Sequence, residues 1–274
     1  MNFTPVVRLL AVQSDFDVDF LANAINQFDI FVESTGVPQL TSPQLANYEI
    51  IYPNKKEQTR IGTFFLTLND TISLHKRKLN LLKQIKQGYL QQMFLKNGEK
   101  VPRLRFANFE GDFEERKLSK FLITHSSKEY IAMKTNGGSY KVIQQGNNPI
   151  IGYTNGQPFE DYKRVSLFGD HTVSLYKPKE PFFIATDGVK IVSVEGFEGD
   201  YLYLVLERYK PKSQGYKRHF TILKNQNISF TQNKHEQIKL GIFFELLGSF
   251  IVTYQQKIYN INLLKKYCLQ KMFI

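Results

Sequence analysis

The sequence predicts an α+β fold: a β-rich domain joined to two long helices that form an antiparallel coiled coil. Two observations predict it. A 42-residue segment recurs without a gap 179 residues further on, and both copies carry a helical apolar repeat. Between the copies the pattern changes to short apolar and aromatic runs broken by Gly, Asn, Asp and Pro.

The chain divides accordingly into residues 1–53, a first long helix at 54–98, a β-rich domain at 99–232 and a second long helix at 233–274. At 42% hydrophobic and 22% charged residues, the composition is that of a folded chain rather than a disordered one. The first twenty residues lack a basic stretch leading into an apolar run, so no secretory signal is expected. No stretch reaches eighteen consecutive apolar residues, so no membrane span is expected either, and a cytoplasmic location follows. A single cysteine, Cys268, excludes an intrachain disulfide and a Cys-based zinc site.

The net charge of +11 is unevenly spread. Residues 1–53 hold one Arg against six acids, and 54–98 hold nine Lys/Arg against two acids. The counts are twenty against fifteen in 99–232 and six against two in 233–274. A basic excess of this kind suits a polyanionic partner.

Residues 1–53 read as the last part of a second copy of the β-rich domain. Ser34-Thr35-Gly36 stands 179 residues before Ser213-Gln214-Gly215, and the helix-like Phe20–Phe28 corresponds to Tyr201–Tyr209. The portion matching Phe106 to about Asn155 and beyond, where most of the sheet should form, is expected to be absent from this copy.

The repeated segments run from Asn54 to Leu95 and from Asn233 to Ile274, with fifteen of 42 positions identical. Each opens on Asn-x-x-Glu (Asn54 and Glu57, Asn233 and Glu236), a capping-box variant in which the Glu is expected to reach back to the cap. Ile61, Phe65, Leu68, Ile72, Leu79, Leu82, Tyr89 and Met93 then follow at spacings of 4 and 3. Leu240, Phe244, Leu247, Ile251, Ile258, Ile261, Cys268 and Met272 repeat the register. His75, Lys86, Tyr254 and Lys265 fall on the same stripe. A period of 3.5 is that of a coiled-coil seam, and each rod should be about 55 Å long.

In 99–232, Val165–Leu167, Thr172–Tyr176, Phe182–Ala185 and Lys190–Val194 read as strands, with Asp187-Gly188 as a hairpin turn. Asp200–Tyr209 reads as a helix with Leu202, Val205, Leu206 and Tyr209 on one face.

This arrangement resembles the specificity subunits of type I restriction–modification systems. Glu57, Gln58, Ile61, Gly62, Phe64 and Phe65 match that family's EQ-x-x-I-G-x-F-F helix start, as do Glu236, Gln237, Leu240, Gly241, Phe243 and Phe244. Lys86, Leu90, Gln91, Met93 and Phe94 match its helix ending. Val101–Ser119 resembles the opening of its target recognition domains, with Phe113 where Trp is usual, and Phe168–Thr172 (FGDHT) resembles a further motif.

The resemblance implies a protein without catalytic residues of its own. Each recognition domain would read half of a split double-stranded DNA target. The helical pair would space the halves and dock modification (methyltransferase) subunits, through which restriction subunits join. S-adenosylmethionine would reside on the methyltransferase partner. The alternative is a silent cassette product that donates its recognition domain by recombination.

The residues agree with a reader rather than an enzyme. Asn147-Asn148-Pro149-Ile150 lacks the second Pro and the aromatic residue of an amino-methyltransferase tetrapeptide, and reads as a turn. Asp187 and Lys190 are the nearest approach to a nuclease pair. Base readout needs polar side chains, with cations on the phosphates. One candidate cluster is Lys134, Lys141, Gln144, Gln145, Asn147, Tyr153, Asn155, Lys163 and Arg164. A second is Lys210, Lys212, Gln214, Lys217 and Arg218, and His171 of the FGDHT stretch is added as a loop or DNA contact.

Overall fold

In the computed structural model, described for residues 12, 14–27, 42–96, 98–215 and 217–273, each repeated segment forms one uninterrupted helix. The order is α1 (Val18–Ile25), α2 (Ser42–Ala46), α3 (Lys55–Gln92), β1 (Glu114–Lys117), β2 (Leu122–Thr124), β3 (Tyr140–Ile143), β4 (Ile150–Thr154), β5 (Ser166–Gly169), β6 (Leu175–Tyr176), β7 (Phe182–Ile184), β8 (Val189–Val194), α4 (Gly199–Tyr209), α5 (Phe220–Lys224), β9 (Asn227–Phe230) and α6 (Lys234–Met272). The chain forms two units: Met1–Leu81 with Ile251–Ile274, and Leu82–Phe250. Each long helix contributes one part to each unit. Ser34-Thr35-Gly36 and Phe28 lie outside the described residues.

In the first unit α3 and α6 pair antiparallel. Phe65 meets Phe273 (centroids 5.9 Å apart), Lys265 donates to Asn69 Oδ1 at 2.8 Å, and His75 meets Tyr254 edge to face at 5.4 Å. The predicted seam residues are buried or half-buried along both helices, with Met272 the exception. His75 and Tyr254 occupy equivalent positions of the repeat, so the local two-fold relation between the helices passes through this pair. Met272 departs from the pattern: it is 46% exposed, whereas its counterpart Met93 is buried in the second unit under Leu118, Phe230 and their neighbours.

The second unit holds three small sheets: β1-β9, β2-β8-β5-β6 and β4-β3-β7, all antiparallel except β3 beside β7. One core joins the end of α3 (Leu90, Met93, Phe94) to α4, β8, β9 and the start of α6. The other packs Ile143, Val165, Leu167, Phe182, Ile184 and Ile191 between the sheets. The predicted strands and the α4 helix are present within a few residues. Thr172–Val173 is the exception and forms a turn, closed by Gly169 N–H donating to Ser174 O and Val173 N–H donating to Gly169 O. Asp187-Gly188 is a turn as expected, yet it is no hairpin. It links β7 and β8, which belong to different sheets.

No run of eighteen consecutive apolar residues occurs, as read from the sequence. By length and composition α6 is nevertheless long and apolar enough to cross a membrane, with an 18-residue window of mean hydropathy 1.3. Its apolarity is spread over two faces, the seam and an outward stripe, rather than gathered in one run.

Candidate nucleic-acid interface

The site is built on clamps that explain the repeated Gln and Gly. Gln58 is buried, and its Oε1 accepts the backbone N–H of Asp17 at 3.1 Å while its Nε2 donates to Pro53 O at 2.9 Å. Gln237 does the same in the second unit, accepting from Glu198 N and donating to Thr231 O, both at 2.9 Å. Asp17 and Glu198 immediately precede α1 and α4. One amide thus ties a short helix to a long one in each unit.

The glycine one turn later lets the short helix approach. A Cβ on Gly62 would meet Asp17 Oδ1 at 2.4 Å and the backbone N of Phe20 at 3.0 Å, whereas one on Gly241 would come no nearer than 3.2 Å to any neighbour, at Asp200 Cβ. Gly62→Ala is therefore expected to destabilise the first unit by about 1–3 kcal/mol. Gly241→Ala should be near neutral, since better helix propensity offsets a tolerable contact. Thermal melts of the two variants test the difference. The aromatic partners repeat as well: Phe20 packs on Phe273 at 5.2 Å, and Tyr201 stacks on Phe94 at 6.1 Å.

The capping expectation holds in half. Asn54 and Asn233 accept backbone N–H groups at Oδ1 from Glu57 and from His235 and Glu236. Glu236 does not reach back. Its carboxylate takes a bidentate pair from Arg105 at 2.7 and 2.8 Å and a hydrogen bond from Thr231 Oγ1, while Thr231 Oγ1 also accepts the Asn233 N–H. A buried carboxylate needs a cation more than a cap needs a second acceptor.

The FGDHT stretch is where the two candidate clusters meet. Asp170 is 6% exposed, and its Oδ1 accepts Phe220 N–H at 2.9 Å while its backbone oxygen accepts His219 N–H at 2.9 Å. His219 Nε2 in turn accepts Gln214 N–H at 3.0 Å. That chain of bonds fixes the loop bearing Lys212, Gln214, Lys217 and Arg218. Lys217 also contacts Gln214 Oε1 at 3.4 Å.

On the other side, Gln145 Oε1 accepts His171 N–H at 2.9 Å, and Ser174 Oγ accepts Gly146 N–H at 2.8 Å. These bonds bring the β3–β4 tip, with Gln144, Gln145 and Asn147, to the same turn. Gln145 fits because Gly169 and Gly188 leave room; a Cβ on either would come within 2.7 Å of it. Val173 sits at φ 57°, a left-handed conformation that a β-branched residue adopts only when its surroundings impose it. Removing the carboxylate in Asp170→Ala is expected to cost about 1.5–3 kcal/mol and to loosen the 212–218 loop, measurable as faster amide exchange there.

Other predicted residues lie elsewhere. Lys141, on β3 opposite Tyr153, is paired with Glu180 at 2.8 Å, which holds its ammonium above the usual range. Gln144 Nε2 donates to Asn148 O and orders the tip, whose Asn147–Pro149 segment is the turn read from the sequence. Asn155 Oδ1 accepts Ser139 N–H at the opposite end of the hairpin. Lys134 lies against Gly152 on β4. Lys163 and Arg164 precede β5, a four-residue strand that separates them from Asp170 by about 13 Å. Arg164 is exposed, 4.0 Å from Asp161.

Lys190 Nζ donates to the backbone oxygen of Asp187, and among the described residues no three His, Cys, Asp or Glu side chains gather. The residues missed from the sequence are Asp170, Ser174 and His219. Asp170 stood beside His171 in the quoted motif; Ser174 and His219 carried no local signal.

Lys177 donates to three carbonyls, of Tyr162, Lys163 and Val165, and burial lowers its ammonium to about 8. Between pH 8 and 10.5 the unfolded chain holds a proton that the folded chain has released, so this group makes folding more favourable as pH rises through that window. The charged form opposes folding fully below it. Urea titrations across the window should show a shallower slope in Lys177→Met.

Comparisons with known proteins agree with this architecture. Residues 6–84 match the family model described as type I restriction modification DNA specificity domain. The S subunit of a type I restriction–modification system from M. genitalium superimposes with TM-score 0.69 at 14% identity, covering 95% of this chain and 73% of its own. A chain from a structure of type I R-M complex assembly and conformational transition gives 0.52 at 13%, covering 93% and 68%. The HsdS subunit from Thermoanaerobacter tengcongensis gives 0.47 at 16%, covering 93% and 69%. No curated protein matches by sequence. Residues 6–84 thus match a type I specificity domain in sequence, and the fold over nearly the whole chain is similar to that of the M. genitalium S subunit.

Proposed function

We propose that the chain is a non-catalytic DNA reader, in which the second unit recognises one half-site of duplex DNA and the helical pair docks methyltransferase subunits. The observation that carries the DNA assignment is the Asp170–Ser174 turn. It holds a polar hairpin tip and a basic loop side by side through buried and part-buried hydrogen bonds. Side chains of Gln145, Asn147 and Gln214 supply the donor and acceptor types of base readout, and Lys212, Lys217 and Arg218 supply phosphate contacts. The division into residues 1–53, 54–98, 99–232 and 233–274 is part of the same proposal, with 99–232 as a full recognition domain and 1–53 as part of another.

Docking is supported by the apolar residues that the helices leave outward in the first unit. Leu66, Leu74 and Leu81 on α3 share a face at helical spacing, and so do Val252, Tyr259, Leu263 and Tyr267 on α6. The methyl donor, S-adenosylmethionine, would be carried by the docked subunit, and the complex would work in the cytoplasm.

Co-purification with the cognate modification subunit, followed by methylation-site sequencing, tests the whole reading. A complex that methylates a defined half-site is expected. Tyr259→Glu with Leu263→Glu should abolish co-purification while leaving the fold intact. Failure of the unaltered chain to form any complex would overturn the assignment.

A further inference from the structure

The two units use the same helix start but cover it differently. In the second unit the segment 99–118 lies over the first turns of α6. Arg105 pairs with Glu236, Phe106 meets Phe243 at 5.8 Å, and Lys239 lies 5.0 Å from the Phe109 ring centroid. The segment then adds β1 to β9, with Glu114 opposite Phe230 and Lys117 opposite Asn227. Glu236, Phe230 and Met93 are buried beneath it or beside it, at 1%, 4% and 3% exposure.

The first unit has the same stripe, with Glu57, Arg60 and Phe64 at the positions of Glu236, Lys239 and Phe243. Among the described residues nothing covers it. Glu57 and Arg60 are exposed, Phe64 is 37% exposed, and Ile51 and Met272, the counterparts of Phe230 and Met93, are 81% and 46% exposed. Residues 49–51, which stand where β9 stands in the second unit, belong to no strand.

We infer that this face of the first unit is a peptide-binding slot. Its occupant is a segment of another polypeptide with the chemistry of residues 99–118: an Arg-aromatic pair followed by a short strand. The arginine binds Glu57, an aromatic side chain covers Phe64, and the strand adds to 49–51 by main-chain hydrogen bonds. Within this chain one slot is already filled by such a segment, which is why the chemistry of the guest is known. Charge agrees, since residues 1–53 carry one Arg against six acids. A second copy of this chain is a poor donor, because its own segment is fixed by the buried Arg105–Glu236 pair.

The test titrates a fluorescein-labelled synthetic peptide of residues 99–120 with the full chain and follows anisotropy. Saturable binding is expected. Glu57→Ala, at an exposed position that should leave folding intact, should weaken it by about tenfold or more, and so should Arg105→Ala in the peptide. No binding, or binding indifferent to either change, overturns the inference. Sedimentation of the chain without peptide should show no association that depends on Glu57. Dimerisation abolished by Glu57→Ala would assign the slot to a second copy instead and overturn the assignment to a foreign segment.

Discussion

Arg105→Ala is expected to destabilise the second unit by about 3–5 kcal/mol. The reason is the carboxylate it leaves behind. Glu236 is 1% exposed, and without the guanidinium its remaining side-chain donor is Thr231 Oγ1. Arg105 also donates to the backbone oxygens of Gly111 and Glu110 and lies over the Phe113 ring at 5.3 Å, so the 99–113 segment loses its anchor as well. Urea unfolding at constant m-value measures the loss. Glu57→Ala at the equivalent exposed position should stay within about 0.5 kcal/mol of the parent. Equal losses at the two positions would mean that the buried pair is not what distinguishes the units.

Replacing Lys212, Lys217 and Arg218 together with alanine is expected to produce the largest change in DNA affinity. If each meets one phosphate, the slope of log affinity against log salt should become shallower by about 2.7. The affinity lost between 50 and 200 mM salt would then be smaller by about forty-fold than for the parent chain. The same three substitutions should barely alter stability, since all three side chains are exposed. Fluorescence anisotropy on a duplex at several salt concentrations decides it, and an unchanged slope would remove this loop from the phosphate-contacting surface. Arg164→Ala offers a comparison, because it lies at the far end of β5 from Asp170.

What the sequence determined by itself was the helical frame. The 3.5 period, the Asn caps and the ungapped repeat are local signals, each read within a turn or two of helix. They form α3 and α6, with the predicted seam covered except at Met272. The strands of the second unit were legible for the same reason, as short apolar runs between turn residues.

Partners were decided by the tertiary structure alone. No local pattern says that Gln58 and Gln237 hold the starts of short helices, that β3 runs parallel to β7, or that Lys141 is taken by Glu180. Nor could spacing show that Gln145 and Gln214 converge on one turn while Arg164 is held away from it. Those contacts join residues far apart in the chain, and they form only where burial makes an unpaired amide or carboxylate too costly to leave.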